Sequence, residues 1–235
     1  VRRLTDAKYR VYVTGSNAKM LSKEVATTLG GRFFIYDAYP YSFKEYLAAQ
    51  QVELREHWEY DTIQRSEVKR HLNEYFYYGG LPEILSFKNK RAMLSSLYQK
   101  IYLGDICARN NIKNDRVLNI LIKKMAESVK QPLSYNRLKN VIVATGSPIS
   151  VPTTIDYADY AADSWLILPM ENEIGKLTEK ERQKKYYFVD NGLLNLFLMN
   201  SETSLLENMV AVELCRRYGK KNVFYLNAEK EIDFI

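Results

Sequence analysis

Three groups of residues in this chain have types and spacings that could do chemistry. The first is the carboxylate pair Glu207 and Asp233. Glu207 opens the helical run Leu206-Glu207-Asn208-Met209-Val210-Ala211-Val212-Glu213, and Asp233 sits in the strand-like Glu231-Ile232-Asp233-Phe234. Carboxylates that converge from a helix and a strand can share a Mg2+ ion. Nuclease chemistry would also need a third acidic group and a lysine on a following strand, and the sequence ends at Ile235 before one. As ordinary surface or capping carboxylates, the same two residues need no metal.

The second group is Thr14-Gly15-Ser16, followed by Asn17, directly after the apolar run Tyr9 to Thr14. Small polar groups at the carboxyl end of a parallel strand lie where α/β folds bind ligands, and a hydroxyl there could orient a water or touch a phosphate. The bland alternative is a strand-to-helix turn capped by Ser16 or Asn17. The third group is a basic stretch. Between Arg109 and Lys139 stand Arg109, Lys113, Arg116, Lys123, Lys124, Lys130, Arg137 and Lys139, opposed by Asp115 and Glu127. Such a face could neutralise phosphates of a nucleic acid. The helix expected at 151–163 argues the other way, because it carries Asp156, Asp159 and Asp163 and no Lys or Arg. Arg, Lys, Asn and Gln do most of the reading in a major groove, so packing or protein contact is the competing use.

Some chemistries are excluded. No segment forms a phosphate-binding P-loop: Gly175-Lys176 runs into Leu177, Gly219-Lys220 into Lys221, and neither has the required glycine spacing before it. Cys107 and Cys215 form no CxxC pair, and with His57 and His71 they lack the close spacing of a zinc site. They read as reduced, structural thiols, which suits a cytoplasmic protein. No apolar run approaches the roughly 20 residues that span a bilayer, and no secretory signal opens the chain. The net charge of +6 permits an acidic partner without demanding one.

The elements that must position these residues follow from periodicity. Residues 9–14 and 32–36 read as strands flanking a helix marked by Leu21, Val25 and Leu29, a parallel α/β unit. Ser42 and Glu45 form a capping box for a helix over about 43–57. A second helix is expected over 64–77, broken by Gly79-Gly80-Leu81-Pro82, and a third carries Met93, Leu94, Leu97 and Ile101. Val117, Leu118, Leu121, Ile122, Met125 and Val129 mark an amphipathic helix. Helices at 134–144 and 151–162 and strands at 165–168 and 186–189 complete the order of a winged helix-turn-helix. Short helices at 193–198 and 205–217 and strands at 222–226 and 232–235 follow.

Taken together, the run from Val11 to Leu47, with Thr14-Gly15-Ser16, Gly31-Arg32, and Pro40 before Ser42-Phe43-Lys44-Glu45-Tyr46, resembles the second half of the nucleotide-binding core in a family of AAA-like P-loop ATPases. That family is common in bacteria and archaea and carries an appended C-terminal domain of unknown function. Tyr41 stands where its members usually have Leu. Tyr78-Gly79-Gly80-Leu81-Pro82-Glu83 is similar to the motif that opens its helical lid. Lys185-Tyr186-Tyr187-Phe188-Val189-Asp190-Asn191-Gly192-Leu193 is similar to its K-Y-x-x-D-x-G-L motif, and Glu207-Asn208 with Glu231 to Phe234 resembles the start of its restriction-endonuclease-like end.

The resemblance implies an α/β fold that is mostly helical overall. Residues 1–48 would be the C-terminal part of a P-loop ATPase core, 49–105 a helical lid, 106–200 a winged-helix-like domain and 201–235 an incomplete nuclease-like segment. It implies that Thr14 and Ser16 act as sensors near a γ-phosphate, that Arg32 senses phosphate or supports structure, and that Gly79, Gly80 and Pro82 border adenine. The P-loop lysine and the Mg2+-binding Asp would precede Val1. Phosphoryl transfer needs both, so ATP and Mg2+ are expected as cofactors of the full-length protein and not as ligands of this chain. The parallel strand 9–14 would lack neighbours, so its exposed edge invites a homodimer. The alternatives are a winged-helix DNA-binding regulator contacting nucleic acid through 109–139, or a protein-interaction module.

Overall fold

The computed structural model describes residues 2–14, 34–199, 201–228 and 231–235, and within them the chain is mostly helical with a few short strands. After a short α1 (Arg2–Asp6), residues 9–14 and 34–39 belong to no strand. Tyr9, Tyr12, Val13, Phe34, Ile35 and Tyr36 are exposed. The expected parallel α/β unit is therefore not formed among the described residues. A strand is stable only when neighbours take up its N–H and C=O groups, and none of the described residues pairs with these two segments. Ser16 and Arg32, with the helix expected between the two strands, lie outside the described residues.

α2 (Phe43–Ala49) starts on the capping box: the Ser42 hydroxyl accepts from the Glu45 amide, and the Glu45 carboxylate accepts from the Ser42 amide at 2.7 Å. It ends well short of residue 57, because Gln51 turns into the left-handed region (φ 58°) and the Val52 amide closes back on the Leu47 carbonyl. α3 (Thr62–Tyr78) is capped by Asp61. α4 (Lys90–Gln99) is capped by Asn89 and passes without a break into a π-helix, Lys100–Ala108.

α5 (Asp115–Glu127) buries Val117, Leu118, Leu121, Ile122, Met125 and Ala126, the stripe that its 3.6-residue period predicts. Next come β1 (Leu133–Ser134), α6 (Tyr135–Ala144, capped by Ser134) and α7 (Val151–Asp163, capped by Ser150). β2 (Ile167–Met170), the short α8 (Leu177–Arg182) and β3 (Gln183–Phe188) follow. The sheet is antiparallel with order β1-β3-β2, Leu133 facing Lys184 and Ile167 facing Phe188. β3 is thus the central strand. Its second half, Lys185 to Phe188, is buried although it begins with a lysine. α9 (Asn191–Asn195) and α10 (Glu202–Tyr218) pack on β3.

The C-terminal strands are shorter than their pattern suggests. β4 (Leu226–Asn227) pairs antiparallel with β5 (Glu231–Ile232), and Phe224 and Ile235 exchange two further backbone hydrogen bonds of 3.0 and 2.8 Å. This ribbon is tied to the sheet's chain just after β2, where the Tyr225 amide donates to the Glu171 carbonyl and the Glu173 amide to the Tyr225 carbonyl. One continuous apolar core runs from Ile84 to Tyr225 through the helices, the sheet and α10. Among the described residues no helix is long and apolar enough to cross a membrane.

Candidate functional site

β3 projects Lys185 toward the C-terminal ribbon. Its Nζ lies 2.8 Å from Asp233 Oδ1, 3.1 Å from Glu231 Oε1 and 3.5 Å from Glu207 Oε1. The side chain is completely buried, and the Tyr225 ring sits 5.6 Å from the ammonium. Two residues along the same face of the strand, as its period of two requires, the Tyr187 hydroxyl donates to Glu207 at 2.9 Å. The sequence-predicted pair Glu207 and Asp233 is therefore brought together, and Glu231 joins it. A lysine stands between them, and it comes from the preceding sheet and not from a later strand.

The electrostatics follow from this packing. Burial alone would push the Lys185 pKa down, but its hydrogen bonds to Asp233 and Glu231 and the charge of Glu207 outweigh that, so the pKa is raised and the group is an ammonium. Burial raises the Glu207 carboxyl, against the lowering effect of Tyr187 and Lys185. An isolated buried ammonium is costly, and here excellent geometry offsets that cost. Three carboxylates around one lysine leave the cluster with an excess of negative charge. Among the described residues no group of three or more His, Cys, Asp or Glu side chains is arranged to hold a metal ion.

A second polar knot lies at the other end of β3. Asp190 caps α9, its Oδ1 accepting from the amides of Gly192 (2.8 Å) and Leu193 (3.3 Å), while Oδ2 accepts from the Gly80 amide at 2.7 Å. The glycines around it are required by contact. A Cβ on Gly79 would lie 2.0 Å from the Asp190 carboxylate, one on Gly80 2.2 Å from the Tyr41 carbonyl oxygen, and one on Gly192 2.1 Å from the Tyr78 carbonyl oxygen. Asparagines complete the knot. Asn191 Nδ2 donates to the carbonyls of Phe76 and Leu205, both at 3.0 Å, and Asn195 Nδ2 to the Tyr77 carbonyl at 2.9 Å, satisfying orphan carbonyls at the end of α3.

Burial raises the Asp190 pKa to about 6, despite the hydrogen bonds it accepts from the amides of Gly80, Gly192 and Leu193. A carboxyl with a folded pKa above its unfolded value binds protons more tightly when folded, so stability falls as pH rises through that window. The wild type should lose stability on the order of 2–3 kcal/mol between about pH 4 and 6 relative to Asp190→Asn, which does not titrate. Urea unfolding of both proteins across that range measures the difference. Parallel profiles would exclude a titrating Asp190.

Gly79 and Gly80 sit at the base of a groove of about 630 Å3 bounded by Phe43, Tyr75, Val210 and Arg216. Pro82 opens a 3-10 turn, Pro82–Ile84, and is exposed outside this groove. Arg216 fastens the groove's far wall: it donates to the Pro40 carbonyl at 2.6 Å and pairs with Glu45 at 3.0 Å and with Glu213 at 3.3 Å. Sequence reading missed Arg216, Asn195 and Glu231 as contacts. Lys185, Asp190, Asn191 and Asn208 stand inside the matching runs, but nothing local marks their partners.

Thr14 is exposed, in irregular chain. The basic residues between 109 and 139 are distributed over several elements, and several have local partners: Arg109 pairs with Asp105, Lys124 with Glu127, and Lys130 donates to Thr203. On α7 the face turned away from Thr154, Ala158 and Ala161 carries exposed Asp156 and Asp159. Cys107 and Cys215 are buried, free thiols, and burial pushes the Cys215 thiol up to about 11, so it is not a nucleophile at neutral pH.

Comparison with known proteins gives these sites a family setting. Residues 1–47 match the model of an AAA domain, and residues 69–204 match a domain of unknown function (DUF8612). An uncharacterised protein of Methanocaldococcus jannaschii is 31% identical over 243 residues, covering 100% of this chain and 54% of that protein. An uncharacterised protein of Haemophilus influenzae is 32% identical over 231 residues, covering 96% of this chain and 55% of its own length. The chain thus spans about half the length of the curated relatives it matches. No solved structure matches it. With more than half of its length, including the helical turn at Gly79-Gly80, the sheet, Lys185 and the Asp190 knot, inside the matched domain, the chain belongs to the family of that domain of unknown function, preceded by an AAA-type segment.

Proposed function

We propose that this chain carries the lid and C-terminal parts of an ATP-responsive, AAA-like protein. The observation that carries the reading is the groove at Gly79-Gly80, whose other wall, Pro40 to Glu45, belongs to the AAA-matched segment. The Gly-Gly turn lets backbone approach a ligand closely, and Tyr75 and Phe43 offer aromatic surface for a base. Thr14 and Ser16 would supply sensor hydroxyls, and Arg32 a phosphate contact. Hydrolysis needs a P-loop lysine and Mg2+ held by an acidic residue, which this sequence lacks, so the chain by itself is a non-hydrolytic part of an ATP- and Mg2+-dependent whole. Glu207 and Asp233 would belong to a nuclease-like end whose acid cluster is closed by Lys185 here.

The test is a fluorescent ATP-analogue titration, with and without Mg2+, of this chain and of the Methanocaldococcus jannaschii relative it matches. The relative should bind saturably. The chain alone should bind more weakly than about 100 μM, roughly −5.5 kcal/mol. Failure of the relative to bind would remove the ATP reading. Tight binding by the chain alone would show that lid and groove suffice without a P-loop.

A second reading rests on topology. Residues 115–188 run helix, strand, helix, helix, strand, short helix, strand with sheet order β1-β3-β2, an order that, apart from the short helix, a winged helix would have. DNA contact would go through the basic stretch 109–139, and a steep salt dependence of affinity would support it. The exposed Asp156, with no Lys or Arg on the helix, favours a protein target for this unit. A homodimer covering the exposed aromatic segments 9–14 and 34–36 would appear in sedimentation as a doubling of mass.

A further inference from the structure

The two polar knots at the ends of β3 are joined by a third set of contacts. Asn208, adjacent to Glu207 on α10, is completely buried. Its side-chain oxygen accepts from the Phe188 amide at 2.7 Å, and its nitrogen donates to the Phe188 carbonyl at 2.9 Å and to Asn191 Oδ1 at 3.0 Å. Two sets of short contacts are thereby joined through the backbone: the Gly80 amide bonds to Asp190, whose chain neighbour Asn191 bonds to Asn208, and Asn208's chain neighbour Glu207 is bonded by both Tyr187 and Lys185, which also pairs with Asp233. Every internal member is hydrogen-bonded, and all but Glu207, whose side chain is 12% exposed, are buried. Such a network has no slack, because displacing one member strands the next without a partner in a place that water does not reach.

The two ends adjoin the Gly79-Gly80 turn and the C-terminal ribbon. At one end the network takes up the carbonyls of Phe76 and Tyr77, the last turn of α3 before the Gly-Gly turn. At the other it holds the ribbon carrying Glu231 and Asp233, whose side chains are half exposed; the ribbon is also held by backbone bonds and by the packing of Tyr225 and Phe234. We propose that β3 and its asparagine contacts form a relay that couples the Gly79-Gly80 turn energetically to the Glu207–Glu231–Asp233 cluster. What passes along it, groove occupancy by a nucleotide, rests on the function proposed above. The coupling itself does not, and it can be tested with no ligand.

Energetic coupling between two sites is reciprocal, which supplies the test. Amide hydrogen exchange is followed by mass spectrometry on the whole 235-residue chain. Lys185→Met perturbs the far end and Asn195→Ala the near end. Lys185→Met should speed exchange of residues 79–81 at least about 10-fold beyond a core control of comparable global cost, Ile142→Ala, which lies outside the relay. Asn195→Ala should likewise speed exchange of 231–235 beyond that control. Should Lys185→Met fail to fold, Glu231→Gln makes a milder break at the same end. Faster exchange confined to the substituted end, or no greater than in the control, would overturn the relay. The nucleotide reading would be untouched by that result, since it stands or falls on the ATP titration.

Discussion

Replacing Lys185 by Met should cost about 3 kcal/mol of stability, measured as a drop in the urea midpoint at unchanged slope. Removing one partner from a buried ion cluster leaves the others uncompensated, and among the described residues Lys185 is the cation that pairs with all three carboxylates. The effect stays below the upper end for buried pairs because Glu231 and Asp233 are about half exposed, 48% and 52%, and can turn to water. Glu207, at 12%, cannot. Adding Glu207→Gln to Lys185→Met should therefore recover roughly 1–2 kcal/mol, whereas Glu231→Gln alone should cost less than about 1 kcal/mol. The folded-state pKa of Lys185 lies above its ordinary value. Its contribution is accordingly complete at neutral pH and is lost only as pH rises through the alkaline range. A Lys185→Met protein as stable as wild type would mean the ion cluster gains nothing over an apolar side chain, as happens in some buried pairs.

Gly79→Ala should be destabilising by about 3–4 kcal/mol, and Gly146→Ala by only about 1–2 kcal/mol. Both glycines have positive φ, +77° and +83°, so both variants carry backbone strain, and Gly79, with ψ −166°, also sits in a region that L side chains essentially do not adopt. A Cβ on Gly146 meets nothing within 4 Å, while one on Gly79 would enter the Asp190 carboxylate. That carboxylate would have to leave the amides of Gly80, Gly192 and Leu193, each buried and left unsatisfied. Thermal unfolding of the two variants side by side checks this. Equal losses would reduce the role of Gly79 to backbone conformation and remove the joint with Asp190 as a source of stability.

Both predictions depend on contacts between residues far apart in sequence, and that is where reading by sequence stopped. Local signals were reliable where the cause is local. The Ser42–Glu45 capping box, the apolar stripe of α5 and the helices expected at 134–144 and 151–162 all follow from side chains within a few positions of one another. The helix expected to reach residue 57 failed because Gln51 adopts a left-handed turn that its side chain does not announce. Of the strands expected at 9–14 and 32–36, the described residues 9–14 and 34–36 form none, because a strand is a property of a pair, and β-branched and aromatic composition names only one member.

By itself, then, the sequence determined the helical character of the chain, the absence of a P-loop, the glycine punctuation at 79–80, and the two carboxylates Glu207 and Asp233 as a pair worth testing. Each of these is written in residue types at fixed, short spacing. Only the tertiary structure decided that Lys185 fills the space between those carboxylates, that Asp190 is the reason Gly79 must be glycine and the Tyr41 carbonyl the reason Gly80 must be, and that Asn208 bonds to β3 and Asn191 at once. Those facts depend on which side chains arrive at one point from β3, α3, α10 and the C-terminal ribbon. A buried lysine and a surface lysine are the same letter until the fold supplies or withholds the charges that make burial tolerable.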